Sequence, residues 1–478
     1  MKSAAGNSLL MYTGFAGLFL ISLASAVFTE NALYLLYPFA GLVFYAGWAN
    51  RDALFFLLLC SLPFSFEYNF TPSLGTDIPD EGLMLLTAFI FFGAWLYRPA
   101  SMPSSVYRHP LLLLLLLWMG WILVAVICST DPFLSAKYFL AKTWYLGAFV
   151  LAPLLLFRNK NAIRIAARCL AGSMLLVTVL ALFRHRDSGY SFAGINEAIA
   201  PFFRNHVNYS ALLVCMIPVW IVFLNGSTGK KRQWLLLALA ISLAALFFSY
   251  ARGAWVALLA GAVAFWLIRQ RLIMTAFIAV SVLVIITVSW LQRNDRYLGY
   301  AHDYRTTIFH QDFGEHLVAT YKLKDVSTAE RFYRWIAGIR MIADRPMTGY
   351  GPASFYSNYK PYAVPAFKTW VSNNPEHSTV HNYFLLLLIE QGIPGLVLFL
   401  LLTAALLWYA QRIYHRAADP FYRKLAAVTA VILVMILTVN FLSDLIETDK
   451  VGSLFFLCIP LLVMADIHGR EHDPAQTD

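Results

Sequence analysis

Residues 110–128 read PLLLLLLLWMGWILVAVIC. This stretch decides the fold class. It is a continuous apolar run about 20 residues long with no charge, which is the length a helix needs to cross a bilayer. A barrel strand would instead alternate over about 10 residues. Similar runs recur on both sides, at roughly 8–28, 33–49, 53–66, 83–97, 139–157, 165–183, 207–225, 234–249, 254–268, 273–291, 381–411, 425–441 and 452–466. Whole-chain composition agrees, with 60% hydrophobic and 13% charged residues among 478, against about 25% charged in a soluble domain. These numbers exclude a soluble globular protein, a disordered chain and a disulfide scaffold. The expected fold is an all-α polytopic membrane protein with about 12–14 transmembrane helices. Residues 8–28 resemble a signal peptide, but the apolar run is long for one and further spans follow, so the segment is read as a helix.

The net charge of +10 is read as topology, because Lys and Arg gather in cytoplasmic loops. Nucleic acid is not an expected partner; the bilayer is. With the N-terminus in the cytoplasm, the inner loops hold Lys2, Arg51, Arg98, Arg108, Arg158, Lys160, Arg164, Lys230, Lys231, Arg232, Arg269, Arg271, Arg412, Arg416, Arg423, Lys424 and Arg470. The short outer loops hold only Lys137, Arg184, Arg186, Arg204, Arg252 and Lys450. Both termini are therefore expected inside. Cys60, Cys128, Cys169, Cys215 and Cys458 lie in apolar runs without metal-ligand spacing, and read as free thiols.

Four regions follow: a helix bundle over 1–291, a large structured outer loop over 292–380, further spans over 381–466, and a short inner tail over 467–478. Inside the loop, Ser327-Thr328-Ala329-Glu330 is a capping box. Phe332, Trp335, Ile336, Ile339 and Ile342 then recur on one helical face, while Arg331 and Arg334 share another. Such a helix suits the bilayer surface, or a lid that carries Arg331 over a site. Pro346 and Gly349-Tyr350-Gly351-Pro352 end it in a tight turn. Beyond the loop, His381-Asn382 opens an apolar helix that Gly392, Pro394 and Gly395 interrupt. A broken helix at membrane depth lines a cavity or is buried in protein. Glu390 is out of phase with His381 on that helix and is expected to pair with a cation elsewhere. Asp444, Glu447 and Asp449 read as an acidic outer loop.

These residues resemble the O-antigen ligase/polymerase superfamily. His381-Asn382, followed after nine residues by Gly392-Ile-Pro-Gly395, is similar to its signature. Ser249-Tyr-Ala-Arg252-Gly253-Ala254 resembles its S-x-x-R-G-A element. Glu330-Arg331 through Trp335, then Pro346 to Gly351, resembles its loop pattern. Phe203-Arg204-Asn205-His206-Val-Asn208-Tyr209 is a further, looser match. The likeness runs over about 200–440 of this sequence; the N-terminal half matches only in being apolar helices.

The resemblance implies a GT-C-like enzyme of the bacterial inner membrane, acting in lipopolysaccharide or polysaccharide biosynthesis. Its donor would be an undecaprenyl-pyrophosphate-linked glycan and its acceptor a hydroxyl of lipid A–core or a similar glycolipid, on the periplasmic face. No cofactor, nucleotide sugar or metal is expected, and transfer would invert the anomeric carbon. Without a divalent cation the leaving pyrophosphate needs arginines, whose guanidinium is always charged and bidentate toward phosphate. Arg252, Arg331 and Arg204 are the candidates, with Arg334 beside Arg331. Each also reads as a headgroup anchor. His381 is the expected general base, with His206 and His377 as substitutes and Asn382 orienting ring or sugar. A Wzy-type polymerase, a protein O-oligosaccharyltransferase and, more distantly, a transporter of lipid-linked glycans remain alternatives.

Overall fold

The structure is a computed structural model that describes residues 14, 16–25, 27–29, 34, 36–71, 74–294, 296, 326–364 and 379–470. Among these residues, eleven helices are long and apolar enough to cross a membrane, so the chain is an all-α polytopic membrane protein. A short apolar helix covers Ala16–Ser25. Then come α1 (Leu36–Ala49), α2 (Arg51–Ser61), the strands β1 (Phe66–Thr71) and β2 (Leu74–Ile78), α3 (Asp80–Tyr97), α4 (Pro110–Ile127), α5 (Pro132–Leu146), α6 (Lys160–His185) and α7 (His206–Leu224). The second half holds α8 (Gly229–Phe248), α9 (Arg252–Arg269), α10 (Ile273–Gln292), α11 (Val326–Asp344), α12 (Tyr383–Arg416), α13 (Pro420–Asn440) and α14 (Asp449–Arg470).

Local chemistry sets these boundaries. Asn159, Asn205, Asn382, Asp131 and Asp419 each sit just before a helix and accept backbone N–H groups of its first turn, at 2.8–3.0 Å. An Asn or Asp side chain in that place satisfies donors that the helix itself cannot. Pro110, Pro132 and Pro420 start their helices where a missing N–H costs nothing.

One expectation changes. The apolar segments 33–49 and 53–66 are not two independent spans. They form a bent pair with an angle of 113° between Gly41–Ala49 and Arg51–Phe64, broken at Asn50, whose side chain caps α2 through Ala53 N at 3.2 Å. The acidic loop that follows is an antiparallel hairpin in which Phe66 faces Ile78 and Glu67 faces Asp77. Its first strand alternates apolar and polar residues, a period-two pattern inside a helical protein. All five cysteines are free, as expected.

The most buried span is α14, 83% enclosed by the other helices, and the least is α10 at 6%. Helix α9 buries a row of small residues, Ala254, Ala257, Gly261 and Ala264. A side chain at Gly261 would collide with Met435 and come within 3.2 Å of Val431 Cγ1 on α13. Small residues at helical spacing let two backbones approach closely in lipid, where packing replaces the hydrophobic drive.

Contacts at the helix ends give the bundle its polarity. His415 Nε2 lies 2.8 Å from Ile268 O, the Ile273 N–H donates to Gln411 Oε1 at 3.2 Å, and His109 Nε2 lies 3.4 Å from Asp466 Oδ2. Lys160 is ion-paired with Asp419. These groups mark one end. The opposite end therefore gathers the starts of α7, α9, α12 and α14, with the end of α13: residues 204–206, 252, 379–383 and 440–450.

Candidate functional site

His381 precedes the helix cap Asn382 and has a left-handed backbone, φ 53°. The conformation is uncommon for a residue with a β-carbon, and its neighbours hold it. Val380 is fully buried, and its carbonyl accepts the indole N–H of Trp335 at 2.9 Å. The Thr379 carbonyl accepts Arg334 Nη1 at 2.9 Å, and its hydroxyl accepts the His381 N–H at 3.3 Å while donating to Asp444 Oδ2. The next turn of α12 is tied down by Tyr383 N, which donates to Ser443 O at 3.0 Å.

The result is a half-exposed imidazole with one side engaged. His381 Nδ1 lies 3.7 Å from Asp444 Oδ1, and the His381 side chain is 38% exposed. Its Nε2 has no partner among the described residues. Burial alone would raise the Asp444 carboxyl. The nearby His381 imidazole, with the Thr379 hydroxyl, outweighs it and holds the group below its ordinary 3.8. A carboxylate on one ring nitrogen orients the imidazole and leaves the other nitrogen for a proton from outside.

Arg334 is placed differently from expectation. It is 2% exposed, with Nη2 3.3 Å from Glu330 Oε2 one turn back and Nη1 on the Thr379 carbonyl. It braces the segment that carries His381 instead of facing a substrate. Glu330, expected in a capping box, is its partner. The face that α11 buries is also rotated from the one read off the sequence. Glu330, Tyr333, Arg334, Ala337 and Met341 are enclosed; of the face read from the sequence only Ile336 is buried, whereas Phe332, Trp335, Ile339 and Ile342 are partly covered. Close packing causes this: Gly338 sits so near α12 that a β-carbon would lie 2.6 Å from Ile389 Cδ1. The helix packs on protein rather than lying free on the bilayer. Arg331 is part-buried on the same helix.

The two glycine-rich elements, at Gly349–Gly351 and Gly392–Gly395, interlock. Gly392 takes φ 71° and ψ −175° inside α12, a conformation open essentially to glycine alone. The kink frees the carbonyls of Ile389 and Glu390, which accept Tyr350 N at 2.9 Å and Gly351 N at 3.0 Å. Ile393 N donates to Pro346 O at 2.8 Å. Gly349, at φ 66°, approaches until a β-carbon would stand 2.5 Å from Glu390 C. Glu390 has no cation partner among the described residues. Its buried carboxylate accepts the N–H groups of Ala353 at 2.9 Å and Phe355 at 3.1 Å. The broken helix is buried in protein, and the backbone groups that the kink frees are satisfied there.

A second cluster holds the other candidates. Arg252 is the first residue of α9, after Tyr250 in the left-handed region, φ 56°. The Tyr250 hydroxyl donates to Tyr190 O at 2.6 Å. The Phe192 ring stands between Tyr250 and His206, at 5.7 and 5.8 Å. His206 contacts Asn196 Oδ1 through Nδ1 at 3.2 Å, and Arg204 is exposed beside it. Arg204 and Arg252 are thus each two residues along the chain from a residue packed on Phe192, His206 or Tyr250, at the same end of the bundle as His381. Asn382 Oδ1 caps α12 by accepting Leu385 N at 3.0 Å, so the oxygen that was to orient ring or sugar has a structural partner. His377 lies outside the described residues.

The acidic turn at Asp444, Glu447 and Asp449 is a built feature, which the sequence reading missed. Asp444 faces His381. Glu447 pairs with Lys142 Nζ at 2.8 Å and accepts the Tyr138 hydroxyl at 2.9 Å. Asp449 accepts the Tyr145 hydroxyl and shares a nest with Asp77 and Asp80, where one oxygen from each lies within 4.8 Å of the others. Lys450 donates into that region, to Ser65 O at 2.8 Å. The available signal was Lys142, a lysine inside an apolar run, which in lipid asks for a partner.

Residues 237–400 match the family model described as O-antigen ligase. The matched stretch holds Arg252, Arg331, Arg334, His381, Asn382 and the Gly392 kink. Arg204 and His206 precede it, and Asp444 follows. No curated protein matches the chain.

Proposed function

We propose that this chain, a member of the O-antigen ligase/polymerase superfamily, transfers a glycan from undecaprenyl pyrophosphate to an acceptor hydroxyl, with His381 as general base. The observation that carries the reading is the His381 imidazole at this end of the bundle, with Asp444 on Nδ1 and no partner on Nε2 among the described residues. Nε2 takes the proton of the acceptor hydroxyl. The oxygen forms a bond to the anomeric carbon from the side opposite the leaving group. The carbon–oxygen bond to phosphate breaks, and the pyrophosphate departs with the electron pair. One displacement of this kind inverts the anomeric centre. Asp444 holds the ring and stabilises the imidazolium that forms.

The charge that develops on the leaving oxygens needs fixed cations nearby. Arg252 and Arg331 take that role in this reading, with Arg204 and His206 at the rim of the same face, and no metal enters the step. Arg334 acts one layer behind, through the Thr379 carbonyl. Positive residues crowd the opposite end of the bundle, at Arg108, Lys160, Arg271, Arg412, Arg416 and Lys424. That bias supports an inner-membrane protein whose His381 end faces the periplasm and whose termini lie in the cytoplasm.

The test is reconstitution. Full-length protein in proteoliposomes receives an undecaprenyl-pyrophosphate glycan, alone and then with lipid A–core, and products are resolved as glycolipids. Product on the core acceptor alone is expected of a ligase. A ladder on the carrier without acceptor would make it a polymerase. His381→Ala is expected to insert normally and transfer nothing; wild-type turnover by that variant would remove His381 from the mechanism.

A further inference from the structure

Lys142 lies within a membrane-crossing segment, Pro132–Leu156, and is 3% exposed. Its ammonium sits 2.8 Å from Glu447 Oε2. Three rings surround it: Tyr138 at 5.1 Å, Tyr145 at 5.4 Å and Phe456 at 6.0 Å. Glu447 is held on its other oxygen by the Tyr138 hydroxyl at 2.9 Å. Tyr383, two residues after His381 on α12, is fully buried. One ion pair thus joins α5 to the turn after α13.

That turn is the one that carries Asp444. Glu447 ends the short 3-10 turn Leu445–Glu447, and its N–H donates to Asp444 O at 2.9 Å. Leu445 and Ile446 are buried, and Ile446 N donates to Asn440 Oδ1 at 2.9 Å. With the backbone so closed, moving Glu447 moves Asp444. A buried ion pair adds little stability over apolar side chains of the same volume, whereas removing one partner leaves an expensive unpaired charge. What the pair supplies beyond packing is a single fixed geometry.

We infer that Lys142 and Glu447 are positioning residues for transfer: the pair fixes the Asp444 turn and thereby the orientation of the His381 ring. The inference rests on the reading of His381 as base. Charged and titratable groups around the unit are Asp444 and His381 on the far side of the turn, Glu390 and Tyr383 on α12, Tyr138 and Tyr145 on α5, and Asp449 at the start of α14.

The experiment uses the full-length protein in proteoliposomes and the double substitution Lys142→Met with Glu447→Gln. That variant leaves no buried charge unpaired and keeps an acceptor for the Tyr138 hydroxyl, so its thermal midpoint should stay near that of the wild type. The expected result is a fall of about tenfold in kcat with KM for the donor within about twofold, the signature of an effect confined to the transition state. The same double substitution is then placed in an Asp444→Asn background, where it should cost less than about twofold, because two changes acting through one contact do not add. An equal loss in both backgrounds, or no loss in either, overturns the inference. Glu447→Asp is the second variant should the first fail to insert; it keeps the charge but shortens the reach, and should show the same non-additivity. The two readings separate cleanly. An active His381→Ala removes the base, whereas an inactive His381→Ala with an additive Lys142 and Glu447 effect removes only the positioning role.

Discussion

Replacing Gly392 by alanine tests whether the kink in α12 and the loop at 346–355 are one unit. An added β-carbon would collide with the Met347 carbonyl and stand 2.9 Å from Pro346 O. Both are backbone atoms, so no side chain can swing aside. Holding alanine at φ 71° and ψ −175° costs about 1–3 kcal/mol. Displacing the loop breaks the bonds Ile393 N to Pro346 O, Tyr350 N to Ile389 O and Gly351 N to Glu390 O, at about 1 kcal/mol each. The total is about 4–6 kcal/mol, or a rise of about 10³–10⁴ in local opening at about 1.4 kcal/mol per decade. The assay is hydrogen exchange on protein in nanodiscs, read at the amides of Tyr350, Gly351, Ala353 and Phe355. Their protection should fall by about a thousandfold or more, and transfer should drop with it, while the amides of α14 keep theirs. Gly172→Ala is the control, because nothing lies within 4 Å of the position where its β-carbon would be; there the change should be silent or slightly stabilising. Wild-type protection and wild-type transfer in Gly392→Ala would refute the interlock.

Other outcomes follow from the same geometry. Arg252→Lys should lose about tenfold or more of the transfer rate, since a point charge does not reproduce a bidentate fork; unchanged donor affinity and rate would leave Arg252 as an anchor. Transfer should survive EDTA, and a loss that Mg²⁺ restores would contradict the assignment of pyrophosphate stabilisation to arginine. The Asp444 carboxyl is held below 3.8, so its stabilising contribution is fully present above that pH and is lost as pH falls through the lower folded value. Asp444 should therefore add no limb to a rate profile taken between about pH 5 and 8, where His titrates; an Asp444→Asn profile with one limb fewer in that range would show otherwise.

The spans were legible because bilayer crossing depends on the length and apolarity of a run, which sequence displays directly. His381-Asn382 was legible for a related reason: a cap residue at the start of an apolar run marks a helix end wherever the helix packs. The Gly392 break could also be read, but what fills it could not. Pro346, Gly349 and Gly351 belong to another segment, and no local pattern says that their N–H groups reach the carbonyls of Ile389 and Glu390. The face of α11 was misjudged because its apolar residues wrap most of the helix, and the close approach at Gly338 decides which of them meets α12. Asp444 and Glu447 were hidden by their setting. Acidic residues in a short loop read as solvated until a partner is known, and their partners, His381 and Lys142, are distant in sequence. Arg334 shows the converse error, since an arginine beside a candidate site invites a ligand role while a buried backbone carbonyl takes it.

The interlock at Gly392 also bears on how the protein is made. Helix α12 has 34 residues, about 51 Å at 1.5 Å per residue, well beyond the ~30 Å of a hydrocarbon core. The part after the kink is long enough to span alone. The first turns must therefore bend away at the surface, and until they do so the carbonyls of Ile389 and Glu390 have no donors. The segment that supplies those donors leaves the ribosome before α12. It has to wait until α12 has been made, so closing the kink is a late event of biogenesis, and a nascent chain halted before α12 would carry that segment undocked.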